Sequence, residues 1–208
     1  RERWTAALKS LDCPGFAVAV VKDGQILALD AFGVRDLKND PASIDTIYYI
    51  ASATKPYTAM GLCILADEGK VDLDAPVKKY LPAFELPDAD LTAKLTVRDL
   101  LCHRPGLDCG PIVHRDAYTG QITDEIYFKL LRNAEIENQV SYSNIHFTLA
   151  GRVIEAASGQ KWQDFLNDHL FQPAGMSRTT AYASKLYGDP DHADPMILLD
   201  GQWEISPL

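Results

Sequence analysis

Residues 48–74 read YYIASATKPYTAMGLCILADEGKVDLD and predict a helix that starts beside a Ser-x-x-Lys motif. Pro56 lacks a backbone N–H, which confines it to the first turn of a helix, and Gly69 is typical of a helix end. The helix should therefore start near Ser52 and stop at Gly69. Because residues three apart share a helix face, the amine of Lys55 can reach the hydroxyl of Ser52.

This position of Ser52 suits a serine nucleophile. At the start of a helix the backbone N–H groups have no partners, and the helix dipole favours negative charge. The run from 59 to 66 carries no charged residue, so the helix should pack against the core and hold the site rigid. An N-cap serine would occupy the same position, and the motif alone leaves both interpretations open.

A second Ser-x-x-Lys match lies at Ser158 and Lys161. Gly159 follows a helical pattern there and predicts a C-terminal cap. Since the carbonyl end of a helix would repel a developing oxyanion, we interpret this second match as fortuitous.

The composition is that of an acidic globular chain. It has 208 residues, 47% of them hydrophobic, a mean hydropathy of −0.13 and a net charge of −9. This length allows one domain, or one domain with a subdomain. The basic residues are not clustered, which argues against nucleic acid and anionic membranes as partners. No apolar run approaches the roughly 20 residues of a membrane span.

Neither a metal nor another cofactor is expected. The four cysteines show no metal-ligand spacing, and the five histidines include no i, i+4 pair. Cys102 and Cys109 are close enough in sequence to pair, but we do not expect a disulfide.

The chain begins with two strands and continues with mostly short helices. Residues 16–32 predict a β-hairpin, because two apolar runs flank the strong turn Asp23-Gly24. A helix is expected before it, at 1–11. Residues 171–208 are rich in proline and glycine and predict loop. The other expected helices are at about 77–80, 97–102, 124–133, 144–157 and 162–170.

Five blocks of sequence, in order, resemble the serine β-lactamase and penicillin-binding-protein superfamily. The resemblance is greatest to the branch of class C β-lactamases, D-aminopeptidases, DD-carboxypeptidases and related esterases. Ser-x-x-Lys is a signature of this superfamily, and Tyr142 is the only tyrosine of the chain with asparagine two residues later. The resemblance covers about residues 15–180. Its blocks are SATK (52–55), GKVDLD (69–74), LLCHRPGL (100–107), YSN (142–144) and PAGM (173–176).

The resemblance implies an α+β, β-lactamase/transpeptidase-like fold, in which helices pack on an antiparallel sheet beside a helical subdomain. Residues 1–70 would then contain the hairpin and the nucleophile helix. Residues 71–170 would form the mainly helical subdomain, and residues 171–208 a loop-rich segment.

It also implies a serine hydrolase and the roles of four residues. Ser52 would be acylated, and Lys55 and Tyr142 would remove its proton and return it to the leaving group. Asn144 would bind the substrate amide or the lysine amine, and the backbone N–H of Ser52 would be the first oxyanion donor. The residue types agree, because a serine hydroxyl needs an adjacent base. Without the family, Tyr142 is more readily interpreted as a half-buried tyrosine with its hydroxyl on the surface.

The other blocks are interpreted as structural. Asp72 and Asp74 should fix a loop. His103 should hold the turn at Pro105-Gly106, since it has no acidic partner at catalytic spacing. Gly175-Met176 should serve packing.

One motif of the superfamily has no match in this chain. It is Lys-Thr-Gly or His-Thr-Gly, on a strand downstream of Tyr-x-Asn that supplies the second oxyanion N–H. The strands that would pair with the hairpin are not evident either. A hairpin alone is marginal in water, and its edges invite pairing. We therefore expect residues 1–208 to be the N-terminal portion of a longer domain, aggregation-prone and nearly inactive by themselves.

Two functional hypotheses follow. The first is a serine hydrolase that forms an acyl-enzyme with an ester, amide or β-lactam. An esterase or D-amino-acid peptidase is favoured over a true β-lactamase, because no dedicated deacylating water site is evident. The second is a non-catalytic ligand-binding member or an inactive fragment. The expected partners are a small-molecule or peptide substrate and the missing C-terminal segment. The location is open between the cytoplasm and the bacterial cell envelope.

Overall fold

The chain forms two compact units. A computed structural model describes residues 2–206, apart from the side chains of residues 117 and 118. The helical unit is Ser52–Ala181, and the sheet unit combines Arg1–Ala51 with Tyr182–Leu208. The helix that starts beside Ser52 lies in the helical unit with the later helices, and residues 191–194 contact residues 35–47 within the sheet unit.

Helix α2 (Lys55–Asp67) and helix α7 (Asn144–Ser158) pack against each other in the centre of the helical unit. The contact is close at Gly61, where an added Cβ would lie 3.1 Å from Ile154 Cδ1. Buried residues of both helices belong to one apolar core. The amino ends of these two helices carry the residues singled out in the sequence.

The start of α2 differs in detail from the prediction. Ser52 lies in a 3-10 turn, Ala51–Thr54, and the regular α-helix begins at Lys55. Pro56 occupies the first turn, as its missing N–H requires. Gly69 follows the helix end with φ +70°, and the Lys70 N–H donates to the carbonyl of Leu65 at 2.9 Å. This left-handed glycine cap confirms the predicted stop.

Short helices with side-chain caps complete the helical unit. Thr96 forms a capping box with Asp99, Thr123 accepts from the amide of Ile126, and Ser143 accepts from the amide of Ile145. A short antiparallel pair joins β3 (Gly106–Asp108) to β4 (Glu135–Glu137). The helices are α3 (Ala89–Lys94), α4 (Val97–Leu101), α5 (Gly110–His114), α6 (Asp124–Leu131) and α8 (Trp162–Leu166), with π-helical turns at Arg115–Thr119 and Asn167–Phe171.

The sheet unit opens with helix α1 (Glu2–Ser10) and the predicted hairpin. Residue 1 of the expected helix lies outside the described residues. Strands β1 (Gly15–Lys22) and β2 (Gln25–Gly33) pair antiparallel around Asp23 and Gly24, both of which have positive φ. No residue of β1 or β2 is fully buried in the described chain, and apolar side chains such as Ile26 and Leu27 are exposed.

Residues 171–208 were expected to be loop, and this is wrong for one helix and two strands of the described part, whereas most of the other positions are turn or loop. Helix α9 (Ala183–Gly188) precedes a second hairpin formed by β5 (Met196–Leu199) and β6 (Gln202–Ile205). Its turn residues Asp200 and Gly201 have positive φ, so the same Asp-Gly signal that marked the first hairpin also marks this one. Within residues 2–206 the two hairpins do not pair with each other.

Ion pairs and hydrogen bonds connect the late segment of the sheet unit, residues 182–208, to its early segment, residues 1–51. The guanidinium of Arg35 donates to Asp191 at 3.0 Å and to Asp40 at 3.1 Å. Thr46 donates to the same Asp191 carboxylate at 2.8 Å, and the Ile47 N–H donates to the Asp191 carbonyl at 2.8 Å. These contacts explain why the late segment belongs to the sheet unit. No helix within residues 2–206 is long and apolar enough to cross a membrane.

Candidate active site

The four residues predicted for the site lie together in the helical unit. Ser52 comes from the 3-10 turn before α2, and Lys55 is the first residue of α2. Tyr142 lies in the loop before α7, and Asn144 is the first residue of α7. The packing of α2 on α7 therefore brings two segments about 90 residues apart in sequence to one place.

Lys55 is the centre of the cluster. Its Nζ lies 3.0 Å from Ser52 Oγ, 2.5 Å from the Tyr142 hydroxyl oxygen and 2.8 Å from Asn144 Oδ1. An ammonium group has three N–H donors and no acceptor. The three oxygens match those three donors, so each N–H of an ammonium group would have an acceptor.

The hydroxyl groups of Ser52 and Tyr142 lie 2.6 Å apart. The hydrogen bond from Lys55, and then the one from Ser52, lower the pKa of Tyr142 below its usual 10. Both interactions favour the phenolate over the neutral phenol. In this arrangement a Tyr142 phenolate could accept the proton of the Ser52 hydroxyl.

The backbone is strained directly before the candidate nucleophile. Ala51 has φ +44°, a left-handed conformation that costs a residue with a Cβ about 1–2 kcal/mol. Strain of this kind is concentrated at functional sites. Here it lies at the first residue of the turn that contains the exposed Ser52.

The cluster opens onto a surface cavity. Ser52 and Asn144 are exposed and Lys55 is half-buried, while Tyr142 keeps 60% of its surface exposed. A cavity of about 240 Å³ adjoins Tyr142 and Asn144. Its wall combines apolar and acidic side chains from β3, α5 and β4 with the loop before α7, namely Leu107, Asp108, Val113, Glu137 and residues 141–144.

His103 also belongs to this site. We expected it to hold the turn at Pro105-Gly106, but its ring packs on Tyr142, with the ring centroids 4.8 Å apart. Its Nδ1 accepts a hydrogen bond from the backbone N–H of Ser143 at 3.3 Å. His103 was expected to be structural because it has no acidic partner at catalytic spacing. Its contact with the aromatic ring of Tyr142, 39 positions away, was not predicted.

Other candidates from the sequence serve the structure. Asp72 accepts from the amide of Asp74 at 2.9 Å, and Asp74 forms two hydrogen bonds with Arg98, at 2.6 and 3.0 Å. The hydroxyl of Ser158 donates to the Ile154 carbonyl at 2.7 Å. All four cysteines have free thiols. Among the described residues, no group of three or more histidine, cysteine or acidic side chains could hold a metal ion.

A comparison with known protein families identifies the family of this chain. The family model described as Beta-lactamase matches residues 2–195. The chain belongs to the β-lactamase family. Its homologues are serine hydrolases of the β-lactamase and penicillin-binding-protein type, and the fold is β-lactamase/transpeptidase-like.

Relatives in the family resemble this chain over most of its length. "Protein flp" of Staphylococcus aureus is 30% identical over 174 residues, covering 80% of this chain and 34% of the relative. "Penicillin-binding protein 4" of Amycolatopsis lactamdurans is 29% identical over 185 residues, covering 86% of this chain and 48% of the relative. The chain thus spans about a third to a half of the length of these curated relatives.

A solved structure shows the same fold. The octameric penicillin-binding protein homologue from Pyrococcus abyssi superposes with a TM-score of 0.82 at 26% identity. The match covers 99% of this chain and 49% of that one.

Proposed function

We propose that this β-lactamase-family protein is a serine hydrolase that forms an acyl-enzyme on Ser52. The observation that carries the proposal is the triple hydrogen bonding of Lys55 Nζ to the oxygens of Ser52, Tyr142 and Asn144, at 3.0, 2.5 and 2.8 Å. One ammonium group thereby orients a nucleophile and stabilises a phenolate beside it.

The first step is acylation. Tyr142, as the phenolate, takes the proton of the Ser52 hydroxyl across 2.6 Å, and Oγ attacks the carbonyl carbon of the substrate. The positive charge of Lys55 stabilises both the phenolate and the developing serine alkoxide. The oxyanion of the tetrahedral intermediate faces the backbone N–H of Ser52, at the start of the turn that leads into α2.

The proton then moves to the leaving group. Tyr142 donates the proton that it took from Ser52 to the departing alkoxide or amine, and the acyl-enzyme remains. Tyr142 is again a phenolate and takes a proton from water, which attacks the acyl carbonyl. As the bond to Ser52 breaks, Tyr142 returns this proton to Oγ and the acid product leaves. Each turnover therefore consumes one water and leaves the protonation of the site unchanged.

Asn144 completes the positioning. Its Oδ1 accepts from Lys55, which leaves its side-chain N–H groups for the substrate carbonyl or amide. Because Asn144 and Tyr142 both line the adjoining cavity, the acyl part of a substrate can enter there while its carbonyl carbon reaches Ser52.

We favour esters and D-amino-acid peptides as the substrates turned over, with β-lactams as acylating agents. Relatives that share 29% identity with this chain carry the name penicillin-binding protein. A β-lactam reacts with the same serine through the same carbonyl chemistry, so it serves as a probe of Ser52 whatever the natural substrate is.

The test is covalent labelling of the intact protein. A fluorescent penicillin and a fluorophosphonate are each incubated with wild type, Ser52→Ala and Ser158→Ala, and the labelled peptide is mapped by mass spectrometry. We expect one label per chain on Ser52, complete loss in Ser52→Ala and no loss in Ser158→Ala. An unlabelled wild type would instead support a ligand-binding member without catalysis.

A further inference from the structure

We propose that His103 is a positioning residue that sets the distance from Tyr142 to Ser52 and Lys55. This inference rests on the proposed function, because it assigns a role in the same reaction. His103 does not touch the reacting atoms. It acts through the three residues 141–143, which form the loop that carries Tyr142.

His103 holds this loop on both sides of Tyr142. Its backbone carbonyl accepts from the N–H of Ser141 at 3.1 Å, and its Nδ1 accepts from the N–H of Ser143 at 3.3 Å. The imidazole ring lies against the Tyr142 ring between these two bonds, with the ring centroids 4.8 Å apart. Two backbone anchors and a ring contact thus fix the tyrosine.

The imidazole of His103 also contacts the ring of His146, with the ring centroids 5.2 Å apart. His146 is fully buried, and its Nε2 lies 2.8 Å from the carbonyl oxygen of Pro105, so that nitrogen carries the proton. Its Nδ1 is then an acceptor, 3.4 Å from Nδ1 of His103. The N–H of Ser143 is the proton donor that both rings face.

The charges around His103 favour its neutral, accepting form. Burial, and after it the positive charge of Lys55, lower the pKa of His103 below its usual 6.5. Burial likewise lowers the pKa of His146. The other groups facing the ring are the hydroxyl-bearing Tyr142 and the apolar Phe147.

The backbone of His103 restricts which residues can replace it. Its φ is +53°, a left-handed conformation that asparagine tolerates and that bulky residues adopt at a cost. In asparagine, Oδ1 can accept the Ser143 N–H in place of Nδ1, without the ring. Phenylalanine keeps a ring against Tyr142 but has no acceptor.

Because asparagine keeps only the acceptor and phenylalanine keeps only the ring, the two substitutions test the two contacts of His103 separately. Turnover of an aryl ester is measured on the full-length protein for wild type, His103→Asn and His103→Phe. The matched control is His169→Phe, since His169 also stacks on an aromatic ring, that of Phe165 at 4.3 Å. Ionisation of Tyr142 is followed in each protein by the ultraviolet difference spectrum against the same protein with Tyr142→Phe.

We expect His103→Phe to lower kcat about 100-fold with KM changed less than about threefold, the loss typical of a misplaced catalytic group. Its Tyr142 should ionise at higher pH than in wild type, because a displaced phenol loses the hydrogen bonds from Lys55 and Ser52. His103→Asn should retain kcat within about tenfold, and His169→Phe should match wild type. If His103→Phe does not fold, His103→Ala removes ring and acceptor together and should show the same loss.

Two results would overturn the proposal. One is a folded His103→Phe or His103→Ala protein with wild-type kcat and wild-type Tyr142 ionisation. The other is a His103→Asn protein as impaired as His103→Phe, which would show that the acceptor is irrelevant. If wild type has no turnover at all, the proposed function fails, while the ionisation of Tyr142 still reports whether His103 positions it.

Discussion

The chain contains the same four-residue pattern twice, at opposite ends of helices. Ser52 lies in the turn that leads into the amino end of α2, with Lys55 Nζ 3.0 Å from its oxygen. Ser158 is the last residue of α7, and its hydroxyl donates to the carbonyl of Ile154 at 2.7 Å. Ser52 is exposed at the surface. The hydroxyl of Ser158 is instead hydrogen-bonded within its own helix.

Helix polarity explains this difference. Backbone N–H groups are unpaired at the amino end of a helix and carbonyl groups at the carboxyl end. An oxyanion is stabilised near the former and destabilised near the latter. The pattern Ser-x-x-Lys therefore indicates a nucleophile only when the helix follows it, and the left-handed Gly159 after Ser158 marks the opposite case.

The largest expected effect separates the two serines directly. Ser52→Ala should reduce kcat for aryl esters on the order of 10⁴-fold or more, as removal of a nucleophile does in other serine hydrolases. Ser158→Ala should leave kcat unchanged, and its lost hydrogen bond should cost about 1 kcal/mol of unfolding free energy. Steady-state kinetics and thermal melts of the full-length proteins measure both. Comparable losses of activity would break the polarity argument.

The two lysines give the next contrast. Lys55→Met removes three hydrogen bonds and the charge that stabilises the phenolate, and kcat should fall about 1000-fold, within the range for loss of acid–base assistance. Lys161 is exposed at the start of α8, so Lys161→Met should be neutral. Burst and steady-state kinetics with an aryl ester distinguish slower acylation from slower release. An active Lys55→Met enzyme would remove Lys55 from the mechanism.

Tyr142 contacts Ser52, whereas no tyrosine is hydrogen-bonded to Ser158 among the contacts of the described residues. Acylation by wild type should speed up with rising pH as Tyr142 loses its proton, and it should level off below pH 10 because the pKa of Tyr142 is lowered. Tyr142→Phe should be about 100-fold slower at neutral pH and should lack this rise. Tyr187→Phe is the control, since Tyr187 belongs to the other unit. Labelling rates between pH 5 and 10 provide the profile, and an unchanged profile in Tyr142→Phe would exclude the phenolate as the base.

The smallest effect concerns the glycines that end the two helices. Gly69 and Gly159 have φ of +70° and +74°, and an added Cβ would meet no atom within 4 Å at either position. Replacement by alanine should therefore cost only the strain of the left-handed backbone, about 1 kcal/mol each. Gly110→Ala, with equal space and no positive φ, should change stability little. Denaturant unfolding compares the three, and kcat of Gly159→Ala should match wild type.

The local features of the fold were largely readable from the sequence. The Asp23-Gly24 turn predicted the first hairpin, and Pro56 and Gly69 bracketed α2. The second hairpin has the same signal at Asp200-Gly201, but the surrounding prolines and glycines masked it. The division into units was not readable, because it depends on the contact of Arg35 with Asp191, 156 residues apart in sequence.

By itself, the sequence determined which residues form the candidate site, since Ser-x-x-Lys and Tyr-x-Asn are short local patterns whose order and helix position can be read along the chain. The tertiary structure decided how those residues are held together. The match of one ammonium to three oxygens arises only when α2 packs on α7. The contact of His103 with Tyr142 likewise depends on two loops meeting in space, and no local pattern encodes that distance.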